Sequence, residues 1–508
     1  MATDHRDWKA WLADGRVGPF SATIAFVGLY CLMQVAVLTL LVRFAGTGVG
    51  IDDAEQLVYL PYLWAGYGGS QPPLYTWINH LAASVLGINV LTLKLVKYAC
   101  LFGAAWCVRA AMRQLGLKSA TAGTAALGLF LTPMIVWESQ RALSHSVAAL
   151  CFSALAVFAF ARLHARRTTM GYVVFGLAVA ASILGKYNDL VLVGALLAAA
   201  LSLRELRGVI LDRRFVLTII VTCLSIAPTF VWNVRNPDEL LARTNKFGIS
   251  PERQFWQAAL EGGHQIVAST FYFSLLPLAV LAIAAVITWR APVTVSAPTA
   301  AEKLLWRTLG AGAAVVAVFV LAAGATEVRD RWLLPVLFLL PAAVAASMER
   351  FGEWGRAAQL ATIRGAVIVL AAVTPALWYV QIYTGDGLGR IARLDYAALR
   401  QEMLATGPVA TVLSDKLWIG NLRLIDPALV LLGEEVPDYA SLIREPAVLA
   451  WLDGAHPSPA FMQSLAAKGY SKDGAETMVA IPEKVGSGTR QVGFVRLKHI
   501  AGGTDGSS

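Results

Sequence analysis

Charged residues are scarce in this chain. Only 15% of its 508 residues are Asp, Glu, Lys or Arg, whereas 57% are hydrophobic. This balance excludes an ordinary soluble domain and indicates a polytopic membrane protein. The net charge of +9 does not indicate a partner made of nucleic acid. The basic residues instead stand in short clusters between apolar runs, as they do in cytoplasmic loops.

Cysteine is also sparse. The chain has five, all within apolar runs: Cys31, Cys100, Cys107, Cys151 and Cys223. Because the count is odd and the spacing matches no metal-binding motif, neither a disulfide framework nor a zinc site is predicted.

Long apolar runs, by contrast, recur from one end of the chain to about residue 384. A helix needs about 20 apolar residues to cross a bilayer, and on this rule we predict about eleven spans. They cover 21–44, 89–112, 119–137, 142–163, 170–186, 188–203, 214–234, 264–288, 304–324, 331–348 and 361–384. The predicted fold is therefore mainly α, a transmembrane helical bundle.

The placement of Lys and Arg predicts the orientation of this bundle. Basic residues concentrate in the tail at 1–20 and in alternate loops, whereas the other loops are richer in acids such as Asp189 and Glu327. Cytoplasmic loops carry the excess of bases. The N-terminus is therefore predicted to be cytoplasmic, with the first loop, 45–88, on the outer face.

The sequence changes character after residue 385. Apolar runs shrink to strand length and alternate with helical patterns, which predicts a small α/β domain over 385–500. The predicted strands are Val409–Leu413, Ala428–Leu432, Ala447–Leu452, Thr477–Ile481 and Val492–Leu497, with helices at Tyr396–Leu404 and Ser458–Lys468. No glycine-rich phosphate loop or Asp/His cluster occurs there, so we expect an accessory domain on the outer face, followed by a disordered tail, 501–508.

Acidic residues gather at the start of the first outer loop. Asp52, Asp53 and Glu55 directly follow the first span, where carboxylates are costly to hold near hydrocarbon and so suggest a function. The loop is predicted to form two short helices on the membrane surface. The alternative is a solvated loop with a capping acid.

The second of these helices is predicted from the residues that close the stretch. Pro72 and Pro73, which follow Gln71, suit a first helical turn, with Ser70 as N-cap, after a connection at Gly66–Gly69.

Further polar residues recur at the predicted outer ends of other spans. They are Glu138, Arg141, His145, Lys186, Tyr187, Asn188, Trp232, Asn233, Arg243 and Arg331. Simpler roles stay open: Lys186 can extend toward the interface, Glu138 and Arg141 can form a helix pair, and Trp232 can belong to an interfacial aromatic belt.

The depth of these residues separates two classes of function. A transporter places ionisable groups near mid-membrane on interrupted helices. Apart from His145, we find almost no ionisable residue deep in a predicted span. A site at the outer membrane surface is favoured instead.

Such a site suits a substrate with a lipid tail and a charged head. Lys and Arg bind a phosphate as a point charge or a bidentate fork. A nearby carboxylate can act as general base for an incoming hydroxyl, and a base on the opposite face of a sugar gives inversion.

Several short motifs together resemble a known family. They are Asp52-Asp53, Gly66-Tyr67, Pro72-Pro73-Leu74, Gly185-Lys186-Tyr187, Pro228 before Trp232-Asn233, and Arg331-Trp332. With them, residues 20–385 resemble the polyprenyl-phosphate-sugar-dependent glycosyltransferases with the GT-C fold. The branch is that of aminoarabinose transferases, protein O-mannosyltransferases and rhizobial galacturonosyltransferases of lipopolysaccharide core.

The resemblance implies a role for each matched residue. Asp52 would be the general base, with Asp53 and Glu55 on the acceptor side. Lys186, with Arg331 or Arg243, would hold the carrier phosphate. The remaining candidates would line the pocket, and no catalytic metal or other cofactor is expected.

Three departures from the family pattern concern sugar and acceptor preference. Asp53 stands where the family often has Glu. Gln71 replaces a frequent His or Lys, and Ser144-His145-Ser146 stands where an Asp is common.

The resemblance also implies the reaction and its setting. We expect an inverting transferase, residues 21–384, in a bacterial inner membrane. It would move a sugar from a polyprenyl-phosphate carrier to a periplasmic acceptor, such as lipopolysaccharide core or lipid A. The alternatives are a transporter or flippase of lipid-linked sugar, and a non-catalytic envelope scaffold.

Overall fold

Apolar helices make up most of the structure. The computed structural model describes residues 7–68, 71–238, 247–249, 253–383 and 387–500. The first helices in chain order are α1 (Trp8–Asp14), α2 (Ala22–Ala45), α3 (Ile51–Tyr59), α4 (Leu74–Leu86), α5 (Val90–Gln114), α6 (Ser119–Gly128), α7 (Ser139–Arg141), α8 (Ser144–Ala165), α9 (Thr169–Gly185), α10 (Asp189–Leu201), α11 (Arg204–Arg207) and α12 (Phe215–Arg235). Those that follow are α13 (Phe255–Ile287), α14 (Ala300–Ala323), α15 (Asp330–Leu337), α16 (Leu340–Glu349), α17 (Gly352–Tyr383), α18 (Tyr396–Ala405), α19 (Lys416–Ile419), α20 (Leu422–Ile425), α21 (Tyr439–Leu442) and α22 (Pro459–Ala467).

Each of the eleven predicted spans corresponds to apolar helix, and the mainly α fold class is confirmed. Within the described ranges, eight helical segments are long and apolar enough to cross a membrane, and a bent pair makes a ninth. This count is below eleven because α9 and α10 have only 17 and 13 residues. At 1.5 Å per residue, neither reaches the roughly 30 Å of a hydrocarbon core when straight.

The ninth span is broken near the face predicted to be outer. Helix α6 continues as a 3₁₀ turn at Leu129–Leu131, and the chain then bends by 71° into Met134–Arg141. The second piece opens with a π-helix, Met134–Glu138. Pro133 at the break lacks a backbone N–H, a recognised cause of kinks. Leu143, which follows, has φ of 55°, a sterically unfavourable value for a branched residue.

Small residues allow the helices α9 and α12 to approach closely. A Cβ on Gly176 would stand 2.8 Å from the carbonyl oxygen of Thr218. Two threonine hydroxyls of α12 donate to carbonyl oxygens of α9: Thr218 to Tyr172 at 2.9 Å, and Thr222 to Gly176 at 3.0 Å. Packing between backbones of this kind replaces the hydrophobic effect, which does not drive association in lipid.

The C-terminal part contains the predicted α/β domain. Its strands are β3 (Thr411–Leu413), β4 (Val430–Leu432), β5 (Ala447–Leu452), β6 (Tyr470–Pro482) and β7 (Thr489–His499), and the only other strands in the described part are β1 (Arg16–Val17) and β2 (Phe20–Ser21). The sheet order is β4-β3-β5-β7-β6. Strand β3 runs parallel to β4 and β5, whereas β7 is antiparallel to β5 and β6. All five strands overlap the predicted runs, and the two predicted helices are α18 and α22.

The chain divides into two compact units. The first comprises residues 1–34, 69–75 and 97–377, and the second comprises 35–68, 76–96 and 378–508. Helix α3, with the acids of the first loop, therefore belongs to the same unit as the C-terminal sheet. The predicted boundaries at residues 384 and 500 remain predictions.

The close contact at Gly176 predicts a specific stability effect. Gly176→Ala should lower the free energy of unfolding by about 1–3 kcal/mol, because the new methyl group has no room beside α12. The measurement is thermal unfolding of the purified protein in detergent.

Gly194 in α10 supplies the matched control, since a Cβ there would meet nothing within 4 Å. Gly194→Ala should be neutral or stabilising by about 0.5–1 kcal/mol. Equal melting temperatures for the two variants would contradict the packing described above.

Candidate functional site

The acids of the first loop lie at the start of a helix. Gly50 precedes α3, and Asp52 and Asp53 occupy its first turn, where the helix dipole stabilises negative charge. The two predicted helices of this loop are α3 and α4, but α4 begins at Leu74, so Pro72 and Pro73 precede the helix instead of forming its first turn. Gly69 in the predicted connection and Ser70, the predicted N-cap, lie outside the described residues.

Asp53 forms a buried ion pair within the second unit. The Nζ of Lys94, near the start of α5, donates to its Oδ2 at 2.8 Å, and the two side chains are only 2% and 7% exposed. Removing one partner of such a pair leaves an uncompensated buried charge. This pairing favours a structural role for Asp53 over the predicted catalytic one.

Glu55 is also buried and paired with a lysine. The Nζ of Lys416 lies 2.6 Å from its Oε1, and this ammonium also contacts Glu435 and donates to the Tyr59 hydroxyl at 3.2 Å. Burial raises the pKa of Tyr59, so its phenol stays neutral. The structure thus connects Glu55, predicted to shape the acceptor side, to the C-terminal domain.

Asp52 differs from its two neighbours in exposure. It is half-buried, whereas Asp53 and Glu55 are buried. Among the three acids of α3, Asp52 is therefore the most accessible to a substrate.

In the first unit, Lys186 follows the end of α9. Its Nζ donates to the Ser146 hydroxyl at 3.1 Å and to the carbonyl oxygen of Arg331 at 3.2 Å. Its neighbour Asn188 donates to the carbonyl oxygen of Trp332 at 2.8 Å. The structure therefore brings together two predicted stretches that lie some 145 residues apart.

Tyr187 connects a third predicted stretch to this cluster. Its hydroxyl accepts a hydrogen bond of 2.9 Å from Asn233 near the end of α12. Trp232, the preceding residue, is half-buried. Arg243, predicted as a second phosphate ligand, lies outside the described residues.

A buried carboxylate stabilises the turn that carries Lys186. Asp189 is fully buried, and its Oδ2 accepts hydrogen bonds from Ser153 at 2.6 Å and Ser182 at 3.0 Å. Its backbone N–H donates to the carbonyl oxygen of Lys186 at 3.0 Å. Sequence reasoning counted this residue only as an outer-loop acid. Its position directly after Lys186-Tyr187-Asn188 could have indicated its role from the sequence.

A surface cavity of about 450 Å³ includes Arg331 in its wall. Its wall includes the π-helix and the stretch before α15, and both charge signs are represented. The polar lining residues are Glu138, Ser269, Tyr272, Arg329, Asp330 and Arg331. A pocket of mixed charge at the ends of apolar helices can hold a charged head group whose tail stays in lipid.

Comparisons with known proteins agree on one class of enzyme. The family model of dolichyl-phosphate-mannose-protein mannosyltransferase matches residues 70–232. Lipopolysaccharide core galacturonosyltransferase RgtB of Rhizobium johnstonii is 29% identical over 84% of this chain and 86% of its own length. RgtA of the same organism is 29% identical over 79% of this chain and 81% of its own.

The fold matches that of a solved protein. ArnT from Cupriavidus metallidurans, bound to undecaprenyl phosphate, matches with a TM-score of 0.54 and 14% identity, over 92% of this chain and 98% of that one. Its apo state matches with the same TM-score and 15% identity, over 93% and 98%.

The chain is a membrane glycosyltransferase of the GT-C fold. The predicted fold and enzyme class are confirmed, and the transporter and scaffold alternatives are set aside.

Some predicted pocket residues of this glycosyltransferase also make the simpler contacts. Glu138 and Arg141 form the helix pair at 2.9 Å, with Arg141 exposed. His145 is buried with its ring centroid 5.3 Å from that of Tyr75, as expected of a packed histidine. Gln71 is half-buried and Pro72 buried, both directly before α4.

Two buried lysines of the glycosyltransferase are not among the predicted site residues. Lys94 and Lys97 lie in the first two turns of α5 and are 1% and 2% exposed. The Nζ of Lys97 donates to the carbonyl oxygen of Ala142 at 2.8 Å. The sequence predicted almost no ionisable residue deep in a span except His145, and that prediction did not consider these two lysines near the start of one. The presence of two lysines three positions apart in an apolar run could have indicated them from the sequence.

The ion pair of Asp53 with Lys94 allows a structural role of Asp53 to be distinguished from a catalytic role by mutation. Lys94→Met should destabilise the protein by about 3–5 kcal/mol, because Asp53 stays buried without its cation. The double variant Asp53→Asn/Lys94→Met should recover most of this loss in thermal unfolding.

Lys498→Met serves as control, since that lysine is 57% exposed in its pair with Asp473 and should change stability by under about 1 kcal/mol. A stable double variant that transfers no sugar would assign Asp53 a catalytic role after all.

Proposed function

We propose that this glycosyltransferase moves a sugar from a polyprenyl-phosphate carrier to a hydroxyl group of an envelope lipid or glycan. The observation that carries the proposal is the cluster of Lys186, Ser146 and Arg331 beside the mixed-charge cavity. The printed names of the relatives support it. RgtA and RgtB are galacturonosyltransferases of lipopolysaccharide core, and the solved ArnT is bound to undecaprenyl phosphate.

Lys186 and Arg331 bind the phosphate of the donor. The isoprenoid tail stays in the bilayer, so only the head group needs polar contacts. An ammonium and a guanidinium together supply a point charge and a planar fork of N–H donors. As the bond between the sugar and the phosphate breaks, negative charge builds on the leaving oxygen. Cations held in place stabilise this charge as it forms.

Asp52 acts as the general base. Asp52 is half-buried, whereas the two neighbouring carboxylates of α3 are buried in ion pairs with Lys94 and Lys416. It takes the proton of the acceptor hydroxyl as that oxygen bonds to the anomeric carbon. The carrier phosphate departs with the electron pair of the broken bond. Attack from the face opposite the leaving group inverts the anomeric centre.

The reaction takes place on the periplasmic face of a bacterial inner membrane. The distribution of Lys and Arg supports this orientation, since it puts the N-terminus in the cytoplasm and the loop of Asp52 outside. Lipopolysaccharide core, lipid A or another envelope glycan provides the acceptor hydroxyl.

The first test concerns the base. Asp52→Asn keeps the shape of the side chain but cannot accept the proton, so turnover should fall by about 10²–10⁴-fold. The assay incubates purified protein with a panel of polyprenyl-phosphate sugars and an envelope acceptor fraction. Asp473→Asn, an exposed acid on β6, is the matched control. Near-normal turnover of Asp52→Asn would remove this residue from the mechanism.

The second test concerns the phosphate. Lys186→Ala removes one charged contact and should raise the donor KM by about 10–100-fold, equivalent to about 1.5–3 kcal/mol. Lys186→Arg should retain part of the affinity. Lys303→Ala, near the start of α14, is the control. An unchanged donor KM in Lys186→Ala would exclude phosphate binding by this residue.

A further inference from the structure

One short stretch of the C-terminal domain contacts helix α3 along its whole length. This stretch, residues 415–425, contains α19 and α20 and is called here the 415–425 segment. Both it and α3 belong to the second unit. Three kinds of contact join them: an ion pair, hydrogen bonds to the backbone, and direct backbone packing.

The ion pair links Lys416 to the middle of α3. The Nζ of Lys416 and the Oε1 of Glu55 are 2.6 Å apart, and the two side chains are only 5% and 9% exposed. Charges so far from water are stable only when both partners stay in place. The pair therefore restricts movement of α3 relative to the segment.

Side chains of the segment also bind the backbone at both ends of α3. At the N-terminal end, Asn421 accepts from the backbone N–H of Val49 at 2.7 Å and donates to its carbonyl oxygen at 3.1 Å. At the C-terminal end, the Nε of Arg423 donates to the carbonyl oxygen of Leu57 at 2.7 Å. The last carbonyls of a helix have no partner within it, so Arg423 acts as a cap.

Arg423 keeps its charge in this position. Burial lowers the pKa of its guanidinium to about 10, which still leaves the group protonated at neutral pH.

Between these two ends, the two backbones are in contact. A Cβ on Gly420 would stand 1.8 Å from the carbonyl oxygen of Ala54. Only glycine fits such an approach, and Ala54 lies two residues from Asp52.

We propose that the 415–425 segment positions α3 for catalysis and that Lys416 is a positioning residue for Asp52. This inference rests on the proposed role of Asp52 as base. A general base acts only within hydrogen-bond reach of its proton, and a displacement of about 1 Å can cost about a hundredfold in rate. The C-terminal domain is thus part of the catalytic apparatus rather than an accessory.

The test replaces Lys416 and follows the rate separately from binding. Lys416→Met should lower kcat at least tenfold and leave the donor KM within twofold, while Lys416→Arg should retain most of the rate. Lys472→Met is the matched control, because Lys472 pairs with Glu476 at the same 2.6 Å distance in the same domain but is 43% exposed. A kcat of Lys416→Met equal to that of this control would overturn the proposal.

Amide hydrogen exchange distinguishes positioning from general stability. In Lys416→Met, exchange should become faster in residues 51–59, while β5 and β7 keep their protection. Unchanged exchange in α3 would also overturn the proposal.

A second variant covers the case in which Lys416→Met does not fold. Glu55→Gln/Lys416→Met removes the buried carboxylate together with its cation, so it should fold and still show the loss of kcat. Normal kcat in this double variant would be decisive against the positioning role.

Asp52→Asn in the same assay separates the two proposals. If it is inactive while Lys416→Met is normal, only the positioning role fails. If Asp52→Asn is normal, the base role fails, and the exchange measurement still decides whether the segment restrains α3.

Discussion

Compensation of buried charge is the constraint on which the acidic helix depends. Three carboxylates lie within four positions of α3, and two of them are buried. An isolated buried carboxylate costs far more than a helix of nine residues can supply. Lys94 and Lys416, which belong to two separate elements of the second unit, offset this cost by forming ion pairs with the two buried carboxylates. The burial of these two acids therefore depends on one lysine from α5 and one from the C-terminal domain.

The first unit also contains a buried acid, and neutral groups provide its hydrogen bonds. Asp189 is held by two serine hydroxyls rather than by a buried cation, and the turn that follows α9 is held through it. From this turn, Lys186 contacts α8 and α15, Asn188 contacts α15, and Tyr187 contacts α12. Polar contacts at helix ends thus bring the turn that follows α9 together with residues from α8, α12 and α15.

Much of the fold was predictable because its periodic signals are local. Apolar runs located the helices, and short alternating runs located all five strands of the C-terminal sheet. The break after α6 was not predicted, since a single proline in an apolar run leaves the direction of the bend undetermined. The burial of Lys94 and Lys97 was missed for a similar reason. A lysine near a span end reaches water in most helices, and only packing shows that these two do not.

The sequence by itself determined the class of protein, the order of the apolar segments, the α/β nature of the tail and the class of enzyme. These properties follow from composition, periodicity and short motifs, which act over a few residues. Only the tertiary structure decided which acid of α3 is accessible and which lysines neutralise its neighbours. Lys416 lies 361 positions after Glu55, and no local pattern carries information over that distance. Such a pairing exists only once the chain has folded.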